Sequence, residues 1–600
     1  MHSVLAGIGK AGCAGHRREP YDQEPCAAAP PEKFRRGTSF AAPTQAHATT
    51  MLLLEQITVE RDSFPVATHG IGSLDWKSAF TGNPAGRRRR TSRPIIKEAE
   101  NVWRSAPARH LSFLVDAAAY YACLDSTLDQ AEEQIWITGW DFDPRIKLRP
   151  DDPQAESLGS RLERLAAQKP KLKIRILVWA MGPIYSGKSL RLFRKQQWAA
   201  HPQIELRFAS HRALRGSHHQ KLVCIDDSIA FAGGIDLTAR RWDTPEHAAE
   251  NELRRDPDGK PYDPVHDIQV LLEGGASRAI GDLCRSRWKA STGDQIEAPP
   301  ARALAWPNGT VPVLEDCPVA IARTEPGSGK RRGRQEALRL TLDALRSARS
   351  HIYIENQYFA SGRIGQLLCD RLQEPDGPEV VVITTRSSHG LLERIVMGGN
   401  RDRLVRRLKR ADRYGRLRVA YPVVPAADGS EQEVIIHSKV VAIDDRFFRV
   451  GSSNFNHRSA SLDTECDVAV EAANEGQRAA IARVRNGLIA EHLDVEADAV
   501  EKALRETNSL VATLDMLNTR RRGIRAFDGI DDDGATSLIW GTEIVDPQRP
   551  IRPFYRTHKL VRRWIGQLFA LLARLFSSSR RATNSVTESK IKPSGSGRKK

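Results

Sequence analysis

The sequence predicts an α/β fold in which one unit is used twice, each copy a mixed, largely parallel sheet flanked by helices. Three observations predict it. The chain has 600 residues, more than one hydrophobic core can organise, since single cores stop growing at roughly 250 to 300 residues. From about residue 99, apolar β-favouring runs alternate with charged, helix-patterned ones. The alternation also repeats: LDQAEEQIWITGWDF (Leu128 to Phe142) lies on LRSARSHIYIENQYF (Leu345 to Phe359), with Leu128 on Leu345, Ala131 on Ala348, Ile135 on Ile352, Ile137 on Ile354 and Phe142 on Phe359.

Taken in order, residues 1–98 mix Ala, Pro, Gly and Arg without sustained periodicity and hold the run Arg87 to Arg90, so a disordered basic tail is expected, with Met51 a candidate start. Residues 99–300 form the first unit, with a strand at KIRILVWA (Lys173 to Ala180) and a charged helical segment near Leu190 to Trp198. Residues 301–510 form the second, with a strand at VVVITTR (Val380 to Arg386) and a helix near Leu404 to Arg413. Residues 511–600 are a basic tail in which Val561 to Phe576 reads as an apolar helix with Arg562, Arg563 and Arg574 at its ends. At 1.5 Å per residue such a helix is roughly 24 Å long, short of a hydrocarbon core of about 30 Å, so it is expected to lie on a membrane rather than cross it.

Hydrophobic residues make up 40% of the chain, which places its bulk among globular proteins. The net charge of +17 invites a nucleic-acid reading, but the charge sits at the ends. Residues 1–98 hold 14 Lys and Arg against 9 acidic residues and residues 551–600 hold 13 against 1, excesses of 5 and 12 that leave the body neutral. That distribution fits attachment of the tails to an anionic membrane surface and argues against nucleic acid as partner. Eight cysteines without a Cys-x2-Cys pair suggest neither zinc nor a disulfide framework. With no clear signal peptide or membrane-spanning segment, a cytoplasmic or peripheral membrane protein is expected.

The chemistry lies in a repeated motif. The first copy, GSHHQKLVCIDDSIAFAGGIDL, places His219, Lys221, Asp226, Gly233 and Gly234; the second, VIIHSKVVAIDDRFFRVGSSNFNHRS, places His437, Lys439, Asp444, Gly451, Ser452 and Asn454. One His-x-Lys-x4-Asp is weak evidence, whereas two in register inside a duplicated unit are strong. His and Lys two apart share one face of a strand end, where ammonium and imidazole form a pocket for phosphate. Small residues downstream are expected to let a ligand oxygen approach the backbone. Asp226 and Asp444, though part of the motif, are expected to stabilise the turn rather than touch substrate.

These paired motifs, with ITGWDFDP and IENQYF upstream, resemble the phospholipase D superfamily, and within it the phosphatidylcholine-hydrolysing branch, over roughly Ala108 to Glu471. The resemblance implies two halves about a pseudo-twofold axis that bring both His-Lys pairs onto one phosphate, in a monomer with one active site between the halves. It implies His219 as nucleophile on phosphorus and His437 as general acid, then base for water. Lys221 and Lys439 stabilise the nonbridging oxygens and Asn454 adds a neutral donor, so no metal or other cofactor is called for. An acidic residue downstream of each motif is implied to fix the imidazole tautomers: Asp267, and Glu465 for His437, with Asp463 and Asp467 close by. His211, His218, His266 and His457 are read as core or surface residues. Trp140, Trp179 and Trp242 are candidates for a choline pocket, with core packing the competing reading. GGIDLTARRWDT resembles the lipase branch more than its rivals, which are a cardiolipin synthase-type transferase, a nuclease of the same fold, and a silent module that binds anionic lipid.

Overall fold

The structure, a computed structural model, describes residues 93–182, 200–211, 216–327, 333–387, 397–530 and 533–539, with Thr542, Asp546 and Pro547. Most of the expected N-terminal tail, the segment Leu190 to Trp198 and the helix Val561 to Phe576 lie outside the described residues.

The repeat seen in the sequence produces one sheet whose two wings mirror each other. In the first wing Ile204–Ala209, Lys173–Trp179 and Gln134–Gly139 run parallel; Leu222–Ile225, Ile229–Gly233, Ile268–Gly274 and Arg104–Val115 then follow antiparallel. Arg104–Val115 crosses to the second wing by pairing with Leu314–Glu325, from Arg104 on Ile321 to Leu111 on Leu314. Beyond it come Glu465–Glu471, Phe447–Gly451, Lys439–Ile443 and His351–Asn356, antiparallel, and finally Glu379–Thr384 and Leu417–Pro425, parallel. The expected mixed sheet is present, and only its largely parallel character is corrected: within this main sheet, parallel pairing joins the outer three main strands of each wing. The reason lies in the motif itself. Asp226-Asp227 and Asp444-Asp445 adopt positive φ (49° and 54°; 50° and 54°), which makes a tight hairpin, and a hairpin joins only antiparallel strands. Aspartate tolerates that conformation better than most residues.

Three hydrophobic clusters hold the sheet among the described residues. One lies under the helices Asp116–Leu128 and Leu158–Gln168 of the first half, a second under Glu336–Ser347, Gly362–Gln373 and Gly399–Ala411 of the second. The third spans both halves, where Ile280, Leu283 and Trp288 of Gly275–Thr292 join Ile481, Leu488 and Ile489 of Glu475–Leu493. The halves thus share a hydrophobic core. The folded body also extends past the boundaries expected at 98 and 510. Ile95 is buried with its N–H donated to Glu471, and Gly523–Ala526 adds a strand to Leu417–Pro425. All six cysteines in the described residues are free and buried, and no helix there is long and apolar enough to cross a membrane.

Candidate active site

Each motif histidine is positioned by the opposite half. The His219 N–H donates to the Thr464 carbonyl at 3.0 Å, which places its ring beside Glu465, the next residue. The segment Ile435–Ile436 pairs in parallel with Val265–His266, and the His437 N–H donates to the His266 carbonyl at 2.8 Å, which places its ring beside Asp267. The rings follow their backbones. His219 Nδ1 donates to Glu465 Oε2 and to the Ser452 carbonyl, both at 3.0 Å, and His437 Nδ1 shares a 2.6 Å hydrogen bond with Asp267 Oδ2. The two acidic residues expected to fix the tautomers are present, but the matching is crossed. Glu465 holds His219, and Asp267 of the first half holds His437, which corrects the assignment of Glu465 to His437. Asp463 accepts from Ser217 N and from Arg458, and Asp467 pairs with Arg449, so neither meets His437.

With both Nδ1 atoms tied, both Nε2 atoms remain, and neither has a hydrogen-bond partner among the described residues. Side-chain exposures of 16% for His219 and 11% for His437 leave the rings reachable. The lysines close the site. Lys221 and Lys439 are almost fully buried, and each Nζ donates to the carbonyl of its own motif histidine. Their further partners differ: Lys221 forms a 3.1 Å ion pair with Asp236, whereas Lys439 donates to the neutral Gln357 Oε1 at 3.0 Å. Asn454 stands at the repeat position of Asp236, so the second half has an amide where the first has a carboxylate. Asp236 was missed in the sequence, although the register of GGID on GSSN points to it.

The electrostatics join the four groups. Burial, then Lys221 and Lys439, hold His219 well below the ordinary imidazole range; burial, then Lys439, Arg241 and Lys221, do the same to His437. Lysines from both halves act on each ring, as a single shared site requires. Burial pushes Asp267 up to about 7 and Glu465 up to about 8. Lys439 is pushed down to about 7, by burial first. Arg241, from the run GGIDLTARRWDT, is a third cation that acts on His437 and Asp267, and sequence reasoning did not single it out.

The remaining motif residues support this frame. Asp226 accepts from the backbone N–H groups of Glu132, Glu133 and Gln134, and Asp444 from those of Arg349, Ser350 and His351, so both lock the motif hairpin to the neighbouring strand. The small residues make room for buried polar side chains. A Cβ on Gly234 would lie 2.0 Å from Asp267 Oδ1, one on Gly233 2.5 Å from Gln269 Oε1, and one on Gly451 2.0 Å from Asp467 Oδ1. A glycine is thus required at 234 and 451 by a buried carboxylate and at 233 by the Gln269 amide. Ser452, the counterpart of Gly234, donates its hydroxyl to Glu465. Trp242 is buried in the first-half core, and Trp140 and Trp179 pack on each other with centroids 5.7 Å apart.

The family model described as Phospholipase D matches residues 127–304, and that described as Cardiolipin synthase, PLD-like domain, matches residues 341–484. The chain is 24% identical to Phospholipase D1 of Saccharomyces cerevisiae over 459 residues, covering 61% of this chain and 27% of that protein. It is 30% identical to Phospholipase D B of Dictyostelium discoideum over 206 residues, 30% of this chain and 17% of that one. With Phospholipase D2 of Bos taurus it shares 23% over 488 residues, 61% of this chain and 50% of that one. The chain therefore matches half or less of each of these relatives. Among solved structures, the phosphatidylserine synthase of Haemophilus influenzae superposes with a TM-score of 0.46 at 13% identity, over 69% of this chain and 97% of that one.

Proposed function

Because the chain belongs to the phospholipase D superfamily, we propose that it hydrolyses glycerophospholipids, phosphatidylcholine first among them, to phosphatidic acid and the free headgroup alcohol. One observation carries the reading. Two imidazoles are tied at Nδ1 to carboxylates of the opposite half, with Nε2 of each available and two buried ammonium groups acting on both rings. The His219 Nε2 lone pair attacks phosphorus, the bond from phosphorus to the headgroup oxygen breaks, and that oxygen takes the Nε2 proton of His437. Water then attacks the phosphatidyl-His219, giving its proton to His437, and His219 leaves. Lys221 and Lys439 neutralise the nonbridging oxygens throughout.

The protonation states suit the two roles differently. A nucleophile must be neutral, and burial beside two ammonium groups keeps His219 so. The acid must carry a second proton, which the free site disfavours at His437. An arriving phosphodiester anion reverses that field and draws the proton in, so the acid is charged when substrate is present. The basic tails fit the same picture as contacts to an anionic membrane surface.

The test is incubation with phosphatidylcholine and a primary alcohol. Phosphatidylalcohol beside phosphatidic acid is the expected result, since an alcohol and water compete for the same phosphatidyl-enzyme. DNA cleavage without lipid product would overturn the lipid assignment. Preferential transfer to phosphatidylglycerol would replace the hydrolase reading with that of a cardiolipin synthase-type transferase.

A further inference from the structure

A second constellation lies behind the catalytic one, in the seam between the halves. Asp116 begins the helix Asp116–Leu128 at positive φ (61°), His247 follows the first motif, His266 ends the short strand Val265–His266, and Glu491 projects from Glu475–Leu493. All four offer one ligand atom each, and these atoms lie within 4.8 Å of one another. Asp116, His247 and His266 are buried to 1% exposure or less.

The distances describe a small polyhedron. His247 Nε2 lies 3.5 Å from Asp116 Oδ2 and 3.0 Å from Glu491 Oε1, while His266 Nδ1 lies 3.3 Å from Asp116 Oδ1 and 2.7 Å from Glu491 Oε1. A tetrahedral zinc ion with bonds of about 2.0 to 2.1 Å separates its ligands by about 3.3 Å. Two further observations point to a cation. Asp116 Oδ2 is buried, lies 3.5 Å from His247 Nε2 and has no hydrogen-bond partner among the described residues. Each imidazole is also braced at its far nitrogen by a carboxylate: His247 Nδ1 by Asp243 at 3.0 Å, and His266 Nε2 by Glu355 at 3.0 Å. The braces are themselves held, Asp243 by Arg254 at 3.0 Å and Glu355 by Tyr353 and Ser438. Such carboxylate–histidine pairs orient the ligands of protein-bound zinc.

We propose that Asp116, His247, His266 and Glu491 bind one divalent transition-metal ion, zinc by their two-nitrogen, two-oxygen donor set, as a structural staple between the halves. Two ligands precede or follow the first motif in the first half, one lies beside Asp267, and one comes from the last long helix of the second-half core. The site stands whether or not the chain is a phosphodiesterase. It takes no part in the phosphoryl chemistry, and its ligands are scattered from 116 to 491, which is why no sequence spacing announces it. His266, read from sequence as a core or surface histidine, becomes a ligand.

The experiment uses the full chain, freed of any affinity tag and purified from zinc-supplemented cells. Elemental analysis should find about one zinc per chain, and X-ray absorption at the zinc edge should show two imidazole nitrogens and two oxygens at about 2.0 Å. Stripping with a strong chelator should lower the melting temperature and zinc should restore it. His247→Gln should lose the metal while keeping its circular dichroism. Metal well below stoichiometry in the wild type, a zinc shell without two imidazoles, or full occupancy in folded His247→Gln would each overturn the proposal and leave a proton-bridged ion cluster. Because the absorption spectrum is read on the wild type, failure of the variant to fold does not remove the test.

Discussion

The two histidine centres descend from one repeat and hold their imidazoles in the same way, by Nδ1 against a carboxylate of the other half, yet their lysines are compensated differently. Lys221 is neutralised by Asp236, while Lys439 faces the amides of Gln357 and, by repeat position, Asn454. The two orienting carboxylates differ as well. Glu465 is shared between His219 and the Ser452 hydroxyl, whereas Asp267 is pressed against Gly234, where no side chain fits. Duplication thus preserves the tether of each ring and lets the charge beside it diverge. The first centre is the more neutral and suits an uncharged nucleophile. The second concentrates positive charge and suits an incoming phosphate.

The largest effects should come from the rings. His219→Asn should lower turnover by on the order of 10⁴-fold or more whatever the leaving group, because it removes the nucleophile. His437→Asn should cost about 10²- to 10⁴-fold with an alkyl headgroup. With a nitrophenyl phosphodiester, whose leaving group needs no acid, phosphohistidine should accumulate instead. Equal losses with both substrates in both variants would erase the division of roles.

The lysines come next. Each alanine substitution should cost about 10²- to 10³-fold, as loss of one oxyanion donor does, with Lys439→Ala the worse because, among the described residues, no carboxylate forms an ion pair with it as Asp236 does with Lys221. Lys439 is also pushed down to about 7, so kcat/KM should fall as pH rises through that region and the free enzyme loses this proton. A flat profile from pH 6 to 9 would show that Lys439 stays charged or is not needed.

A smaller effect concerns stability. Glu465 rises from an ordinary 4.5 to about 8 on folding, so the folded state holds its proton more tightly. Its contribution to stability is complete below 4.5 and is lost as pH rises through about 8. Glu465→Gln, which has nothing to ionise, should therefore gain melting temperature relative to wild type between pH 5 and pH 8. A gap that shrinks over that range would contradict the assignment.

The sequence revealed the duplication and the motif histidines and lysines, because repeats keep their register, while Asp267 and Glu465 entered as candidates only through the resemblance to the phospholipase D superfamily. The crossing could not be read in the same way. Which carboxylate meets which ring depends on the pairing of Ile435–Ile436 with Val265–His266 and of His219 with Thr464, contacts between segments more than 150 residues apart. The seam cluster is hidden for the same reason. Parallel pairing was overestimated because a buried antiparallel strand such as Ile268–Gly274, covered on both faces, reads as a continuous apolar run just as a parallel one does.

The central claim, that each half orients the other's histidine, is tested most directly by single-turnover kinetics of Asp267→Asn and Glu465→Gln with a choline and a nitrophenyl leaving group. The account predicts that Asp267→Asn follows His437→Asn, with a defect relieved by the better leaving group, and that Glu465→Gln follows His219→Asn, with a defect that is not. The reverse matching, Asp267→Asn behaving as His219→Asn and Glu465→Gln as His437→Asn, would contradict it.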